Sequence, residues 1–289
     1  MSKPILVTGA SSGIGRAITE SLSEAGSLVY ATVRNRKDFD SLNRLTNVHP
    51  LIMDVTKSGQ IDLALTEIRT ARKGLYGLVN NAGLVDFWPL AELEDADLHH
   101  IFEVNLFGIQ RVTRAAIPLL VKSGGRIVNV SSIQGLVSTK FSGPYEMTKH
   151  GLEAYSDTLA KELKDYGVKV ITVEPGGFRT NYARTTAHVL ARRARNYSPI
   201  LMKKEVTTIL RKWDDIVAEV SARQAPHKVV VSVHHALFSK RPKHRYVVTA
   251  RKEEFRWALN GLVSKLIEVN RGSEYGLSKH EIHRLVDEQ

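Results

Sequence analysis

The order of elements in this chain of 289 residues points to an α/β protein. It implies a doubly wound parallel sheet of about seven strands with helices on both faces. Three observations lead there. Apolar runs of strand length alternate with stretches of helical spacing, and strands joined by helices in this way are parallel and covered on both sides. The first apolar run ends in a cluster of glycines. No Pro/Ser-rich linker and no repeat of fixed period interrupts the alternation. The expectation is therefore a single domain over residues 1–289, with 182–289 as a C-terminal elaboration.

Ile5–Thr8 is the first strand, and helical spacing runs from Gly13 to a stop at Gly26. Leu28–Val33 and Val48–Met53 are the second and third strands. Leu63, Leu65 and Ile68 place a helix before a short fourth strand, Gly77–Asn80. Asp97–Val121 is expected as one long helix, Arg126–Ser131 as the fifth strand, Tyr145–Tyr166 as a helix and Val168–Val173 as the sixth strand. Beyond Pro175 the pattern changes. Residues 183–225 are polar and mostly helical, and Val229, Val233 and Leu237 form an apolar stripe. Arg245–Thr249 is the candidate seventh strand, Glu253–Val269 is helical, and the last 20 residues hold one weak helix.

Composition narrows the functional classes. Apolar residues make up 43% and charged residues 25%, ordinary globular usage that excludes a disordered chain, a collagen or a coiled-coil rod. The chain has no cysteine, which removes disulfides, thiolate metal sites and a cysteine nucleophile. His99-His100 and His234-His235 lack metal spacing, so no metal site is expected. No apolar run approaches the roughly 18 residues of a spanning helix, and the run Ile5–Val7 is too short for a secretory signal. A cytoplasmic location is the expectation. The formal net charge is +11, and residues 179–257 alone hold 18 basic and 6 acidic side chains, a net +12.

Three motifs carry chemistry. Thr8-Gly9-Ala10-Ser11-Ser12-Gly13-Ile14-Gly15 follows the first strand and opens the first helix. Its glycines permit a tight turn and close backbone approach, and the helix N-terminus offers free N–H donors, which together suit a pyrophosphate in a Rossmann-type fold. Asn80-Asn81-Ala82-Gly83 ends the fourth strand, on the side where ligands of open parallel sheets lie. There an Asn pair either braces the loops or meets the ligand. Tyr145 and Lys149 share one helix face, and an ammonium beside a phenol favours the phenolate and lowers its pKa. Ser132 supplies a hydroxyl at the end of the fifth strand. No G-x-S-x-G occurs, so a hydrolase elbow is absent.

These residues, with Asp54-Val55, Asn105 in Val104-Asn105-Leu106-Phe107-Gly108, Ser131-Ser132 and Pro175-Gly176 with Thr180, resemble the short-chain dehydrogenase/reductase family over residues 3–181. Ser142-Gly143-Pro144-Tyr145, Gly151–Asp157 and Glu174–Thr180 look like its retinol and hydroxysteroid dehydrogenase branch. The resemblance implies that Tyr145 exchanges a proton with the substrate oxygen and that Ser132 positions that oxygen. Lys149 would bind the nicotinamide ribose and lower the pKa of Tyr145. Asn105 would kink its helix and hold a water leading from Lys149 to solvent. Gly9, Ser11, Ser12, Gly13, Ile14 and Gly15 would cradle the pyrophosphate. Asp54 and Val55 would hold the adenine, and Asn81, Ala82 and Gly83 the adenosine ribose side. Pro175, Gly176, Phe178 and Thr180 would meet the nicotinamide half.

NAD sites of this fold place a carboxylate about 20 residues past the glycine turn. Val33 stands there instead, followed by Arg34, whose guanidinium suits a 2′-phosphate. NADP is therefore expected ahead of NAD. The region after Thr180 would form a helical lid. Leu84, Val85, Ser132, Gln134, Val137, Tyr145 and Phe178, with residues near 183–200, are the candidate substrate contacts. Their apolar character suits a steroid-, retinoid- or other lipid-like alcohol, ketone or aldehyde. Two alternatives stand beside this: a 3-oxoacyl-thioester reductase of the same mechanism, and a catalytically silent dinucleotide-sensing protein. Association through the long helices 97–121 and 145–166 implies a homodimer or homotetramer. The basic segment suggests either a solvated surface or peripheral contact with an anionic membrane. Its sparse aromatic content argues against specific nucleic-acid binding. Trp88, Trp213 and Trp257 are expected as packing residues.

Overall fold

The computed structural model describes residues 3–195 and 197–288. The first part of the chain alternates strands with helices, with two helices between the fourth and fifth strands. β1 (Ile5–Val7), β2 (Val29–Val33), β3 (Val48–Ile52), β4 (Gly77–Asn80), β5 (Arg126–Val130) and β6 (Lys169–Pro175) are joined by α1 (Gly13–Glu24), α2 (Arg36–Leu42), α3 (Ser58–Thr70), α4 (Asp95–Phe102), α5 (Gly108–Ser123) and α6 (Gly143–Glu162). Three helices follow, α7 (Tyr182–Arg195), α8 (Lys203–Arg211) and α9 (Trp213–Ala222). Then come α10 (His227–Phe238), β7 (Arg245–Val248), α11 (Lys252–Arg271) and α12 (Lys279–Asp287). The seven strands make one sheet in the order β3-β2-β1-β4-β5-β6-β7, parallel throughout.

Period-two alternation divides the core. Ile5 and Val7 of β1 point to one face, where they pack with Ile18 and Leu22 of α1 and Val229, Val233 and Leu237 of α10. Leu6 and Leu78 point to the other, against Ile61 and Leu65 of α3 and Val112 and Leu120 of α5. Strands buried on both faces read as near-continuous apolar runs, which is why β1 is entirely buried. Strand order reverses between β1 and β4, and in open α/β sheets the crevice beyond the carboxyl ends at such a point is where ligands bind.

Three features depart from the sequence expectation. The segment 97–121 is not one helix. A π-helical turn, Glu103–Phe107, separates α4 from α5 and is centred on Asn105, so the kink falls where the family resemblance put it. Helix α2 stands where no helix was expected; Asn35 caps it by accepting the Asp38 N–H at 2.9 Å. The polar stretch after Thr180 has its own core. Leu190, Val206 and Trp213 close over Trp88, with Phe87 and Tyr197 packed against them.

Candidate active site

The turn after β1 is shaped by contacts that only glycine allows. Gly9 has φ +65°, and a Cβ there would lie 2.8 Å from Cα of Ala82. A Cβ on Gly15 would stand 2.3 Å from both Nδ2 of Asn81 and the Gly9 carbonyl oxygen. Asn81 is thus a brace: its Nδ2 donates to the Thr8 and Gly9 carbonyls at 3.0 and 3.1 Å. Thr8 Oγ1 returns the contact by accepting the Asn81 and Ala82 N–H groups, each at 3.0 Å. Thr8 was not foreseen as a site residue. Its sequence signal was only its place at the strand end. Asn80 is buried and donates to Thr113 and Asn129 at 2.9 and 2.8 Å, which pins β4 to α5 and β5.

A cavity of about 420 Å³ extends from this turn. Gly9, Ser11, Ser12, Gly13, Ile14, Val33, Arg34, Asp54, Val55, Asn81, Ala82, Gly83 and Thr180 all border it, so expected contacts from the ends of β1, β2, β3 and β4 and from Thr180 converge, whereas Gly15 does not border it. Arg34 is exposed at its edge, and Val33 is buried. Partial burial raises the Asp54 pKa, but hydrogen bonds from Thr56 and the charges of Arg34 and Lys57 hold it below the usual carboxylate range. Thr56 occupies Oδ1 of Asp54 through its N–H and hydroxyl at 2.9 and 2.8 Å.

A second cavity, of about 400 Å³, is bordered by Ser132, Gln134, Tyr145, Lys149, Pro175, Gly176 and Phe178. Ser132 ends β5 and caps a short 3-10 turn by accepting the Gln134 N–H at 3.1 Å. Its own proton reaches the Pro175 carbonyl only at 3.5 Å, the outer limit of a hydrogen bond, so the hydroxyl is free to donate elsewhere. Tyr145 and Lys149 sit one turn apart on α6, with Nζ of Lys149 5.6 Å from the phenol ring centre. That Nζ donates to the Val130 carbonyl at 2.9 Å.

Burial governs both groups. It pushes the Tyr145 phenol up to about 12, against a lowering hydrogen bond with Ser132. It brings Lys149 down to about 8, while the charge of Glu153 pulls the other way. Desolvation is the largest influence on the phenol. Asn105 is fully occupied. Its Oδ1 accepts the Leu84 N–H at 2.7 Å, and its Nδ2 donates to the Leu84 carbonyl at 2.9 Å and to Thr148 Oγ1 at 3.0 Å. Its side chain therefore ties the loop after β4 to α6.

Other expectations are also corrected. Val137 does not border the second cavity; it is buried beneath α11, where a Cβ on Gly261 would meet it at 2.3 Å. Trp88 and Trp213 are packing residues, but Trp257 is 38% exposed and borders the second cavity. Sequence reasoning missed Tyr182, Arg223 and Glu254, which border it too. They are distant in sequence and belong to no motif. Gln134 borders the cavity as expected while donating to Oε1 of buried Glu146 at 3.0 Å.

The segment after Thr180 is fastened by acidic residues of the β4–α5 connection. Arg193 of α7 donates to Asp86 at 3.0 and 2.8 Å and to Asp97 at 2.6 Å, and it lies over Trp88. Glu92 accepts the N–H groups of Ile200, Leu201 and Met202 at 2.9, 2.6 and 2.5 Å.

A glycine-lined groove at the switch point of a parallel sheet, opening toward a Ser–Tyr–Lys constellation, defines an oxidoreductase of the dinucleotide-binding α/β class. The chain belongs to the short-chain dehydrogenase family, whose profile, described as short chain dehydrogenase, matches residues 3–190. It is 40% identical over 183 residues to retinol dehydrogenase 7 of Mus musculus, a match spanning 62% of this chain and 58% of that protein. It is 31% identical over 273 residues to an NADPH-dependent 3-dehydrocapnine reductase of Ornithobacterium rhinotracheale, covering 91% and 94% of the two chains. A short-chain dehydrogenase structure from Streptomyces avermitilis superposes with a TM-score of 0.75 at 29% identity, covering 94% of each chain. The protein is an enzyme acting on CH–OH groups, and its cofactor is of the nicotinamide dinucleotide class.

Proposed function

We propose that the protein is an NADP-dependent reductase and dehydrogenase that interconverts a bulky hydrophobic alcohol and its ketone or aldehyde. One observation carries this reading: Ser132, Tyr145 and Lys149 border a single cavity whose other walls include Leu84, Val85, Phe87, Ile133, Phe178 and Trp257. The turn from Gly9 to Gly13 borders the first cavity and opens α1, so its backbone and the helix N-terminus suit a pyrophosphate. Arg34, exposed beside Asp54 at the rim of the first cavity, would receive a 2′-phosphate, and buried Val33 offers a ribose hydroxyl no acceptor. Asp54 keeps Oδ2 for an adenine amino group.

The bound dinucleotide supplies or accepts the hydride. Tyr145, pushed up to about 12, holds its proton at neutral pH and gives it to the carbonyl oxygen during reduction. Ser132 donates to that same oxygen. Lys149 holds the ribose hydroxyls, and its ammonium offsets charge that develops on the phenol oxygen. Pro175, Gly176, Phe178 and Thr180 shape the nicotinamide side. The test is Tyr145→Phe, expected to lower turnover at least roughly 100-fold with NADPH affinity retained. An NADPH-consumption screen over steroids, retinoids, quinones, aliphatic ketones and acyl thioesters finds the substrate. Near-normal turnover of Tyr145→Phe refutes the assignment, and dinucleotide binding without turnover on the whole panel favours a sensor.

A peripheral contact with an anionic membrane has support of its own. On α11, Phe255, Leu259, Leu262, Val263, Leu266 and Val269 are exposed at helical spacing. Lys240, Arg241, Lys243, Lys252 and Arg256 are exposed nearby in sequence, whereas Arg193 and Arg245 are engaged in ion pairs. The basic segment is thus less free than its net charge implies. No helix among the described residues is long and apolar enough to cross a membrane. Co-sedimentation with anionic vesicles at low salt, fading above about 0.3 M salt, is the expected result. No binding at low salt rejects it. Exposed Phe107 and Met147, on the elements around α5 and α6, support association of copies there. A purely monomeric sedimentation profile rejects that.

A further inference from the structure

Behind Lys149 lies a cluster of charge that the proposed chemistry does not use. Lys149, Glu153 and Asp157 follow one another at four-residue intervals along α6, so they share a face. Glu174 projects from β6 and is 0% exposed, and Glu153 is 7% exposed. A single nitrogen, Nη1 of Arg245 on β7, meets Oε2 of Glu153 at 2.5 Å and also Oε1 of Glu174. Two carboxyl groups therefore converge on one donor. Their other oxygens, Oε1 of Glu153 and Oε2 of Glu174, are both buried with no partner. Gly135 permits the approach: a Cβ there would stand 3.1 Å from Cγ and 3.2 Å from Oε1 of Glu153.

We propose that Glu153 and Glu174 share one proton between these two oxygens, and that the single remaining negative charge, clamped by Arg245, positions the Lys149 ammonium. Two ionised carboxylates cannot occupy one dry site with a single guanidinium, and two unpartnered acceptors each cost desolvation that a shared proton removes. The charge count closes. Arg245 also meets Asp157 at 3.1 and 3.3 Å, and Asp157 in turn meets Nε2 of His244 at 3.0 Å. The charged and titratable groups facing the pair are thus Lys149 and Asp157 from α6 and Arg245 and His244 from the β7 side. Burial and the neighbouring Glu153 raise Glu174 to about 8, so the proton is held at neutral pH. The pair's negative charge lies one helical turn from Lys149, and the charge of Glu153 pulls that amine's pKa up against its own burial. The proton-sharing part stands whatever the substrate and cofactor are; the consequence for catalysis rests on the role proposed for Lys149.

The experiment uses full-length protein in which glutamate carboxyls carry ¹³C and lysines carry ¹⁵N. Infrared spectra at pH 7 should show a protonated glutamic acid band that fades as pH rises past about 8. The band should vanish in Glu174→Gln, whose amide mimics the protonated partner, and in Glu153→Gln. Its absence from the wild-type spectrum at pH 7 overturns the shared proton without recourse to any variant. In parallel, the Lys149 amine, assigned with Lys149→Arg, is titrated by nitrogen resonance. Glu153→Gln should move its midpoint to lower pH by about one unit, and Glu174→Gln should leave it in place. Equal movement in both variants, or in neither, overturns the positioning of Lys149 while leaving the infrared result to stand on its own.

Discussion

Replacing Arg193 by methionine tests how the lid is held. The arginine side chain is 7% exposed and Asp86 only 9%, with 2.8 Å between them, so solvent screens the pair little. Removing one partner of a buried ion pair costs about 3–5 kcal/mol, chiefly because the other charge is stranded. Asp97 keeps a partner in Arg192 at 3.2 Å, so only Asp86 is left alone. The expected loss is therefore at the low end, about 3 kcal/mol. With a urea slope of about 3 kcal/mol per M, the midpoint should fall by about 1 M. Trp88 and Trp213 lie in the cluster under the lid, so their fluorescence reports the event directly. Asp86→Asn in the same chain should recover part of the loss, giving a coupling of at least about 1 kcal/mol. A midpoint unchanged by Arg193→Met, or additive single and double variants, would refute the reasoning.

Arg34→Ala should weaken NADPH binding about tenfold to hundredfold, the value of one charge-assisted contact, with NADH binding nearly unchanged. Equal losses in fluorescence titrations would remove the 2′-phosphate assignment. Gly15→Ala drives a methyl group into Asn81 and the Gly9 carbonyl, so overpacking of about 1–3 kcal/mol should weaken either dinucleotide by about fivefold to 150-fold. Unaltered affinity for both would show that the cradle yields freely. Glu92 is held down to about 2 by the N–H groups of Ile200, Met202 and Leu201 against the effect of its own burial. A depressed carboxyl pKa stabilises above the unfolded value and is lost as pH falls through the folded one, so lid release is expected between about pH 4.5 and 2. Glu92→Ala should release it at neutral pH, and tryptophan fluorescence follows both.

The alternation of strands and helices and the pairing of Tyr145 with Lys149 could be read from the sequence because both are local signals. Apolar runs mark buried strands, and Tyr145 and Lys149 are fixed relative to one another by one helical turn. What could not be read depends on distant partners. The resemblance placed a kink at Asn105, but the contacts that hold the break at Glu103–Phe107, from Asn105 to Leu84 and Thr148, lie in no single window of residues. Arg245 looked like one more positive charge in a basic segment. Its meaning appears only once β7 pairs with β6 and brings it to Glu153, Asp157 and Glu174.

The walls of the catalytic cavity have two origins. The family profile ends at residue 190, yet Arg223, Glu254 and Trp257 border the cavity from beyond it. Glu254 and Arg223 press on Gly176 and Gly177 closely enough that a Cβ on either glycine would collide with them. Ser132, Tyr145 and Lys149 thus come from within the profile, while Arg223, Glu254 and Trp257 come from the segment beyond it, which relatives aligned over more than 90% of this chain also carry. Substitutions at 223, 254 and 257 are expected to reshape the cavity while leaving Ser132, Tyr145 and Lys149 in place. A swap of the segment from 223 onward between relatives should carry substrate choice with it.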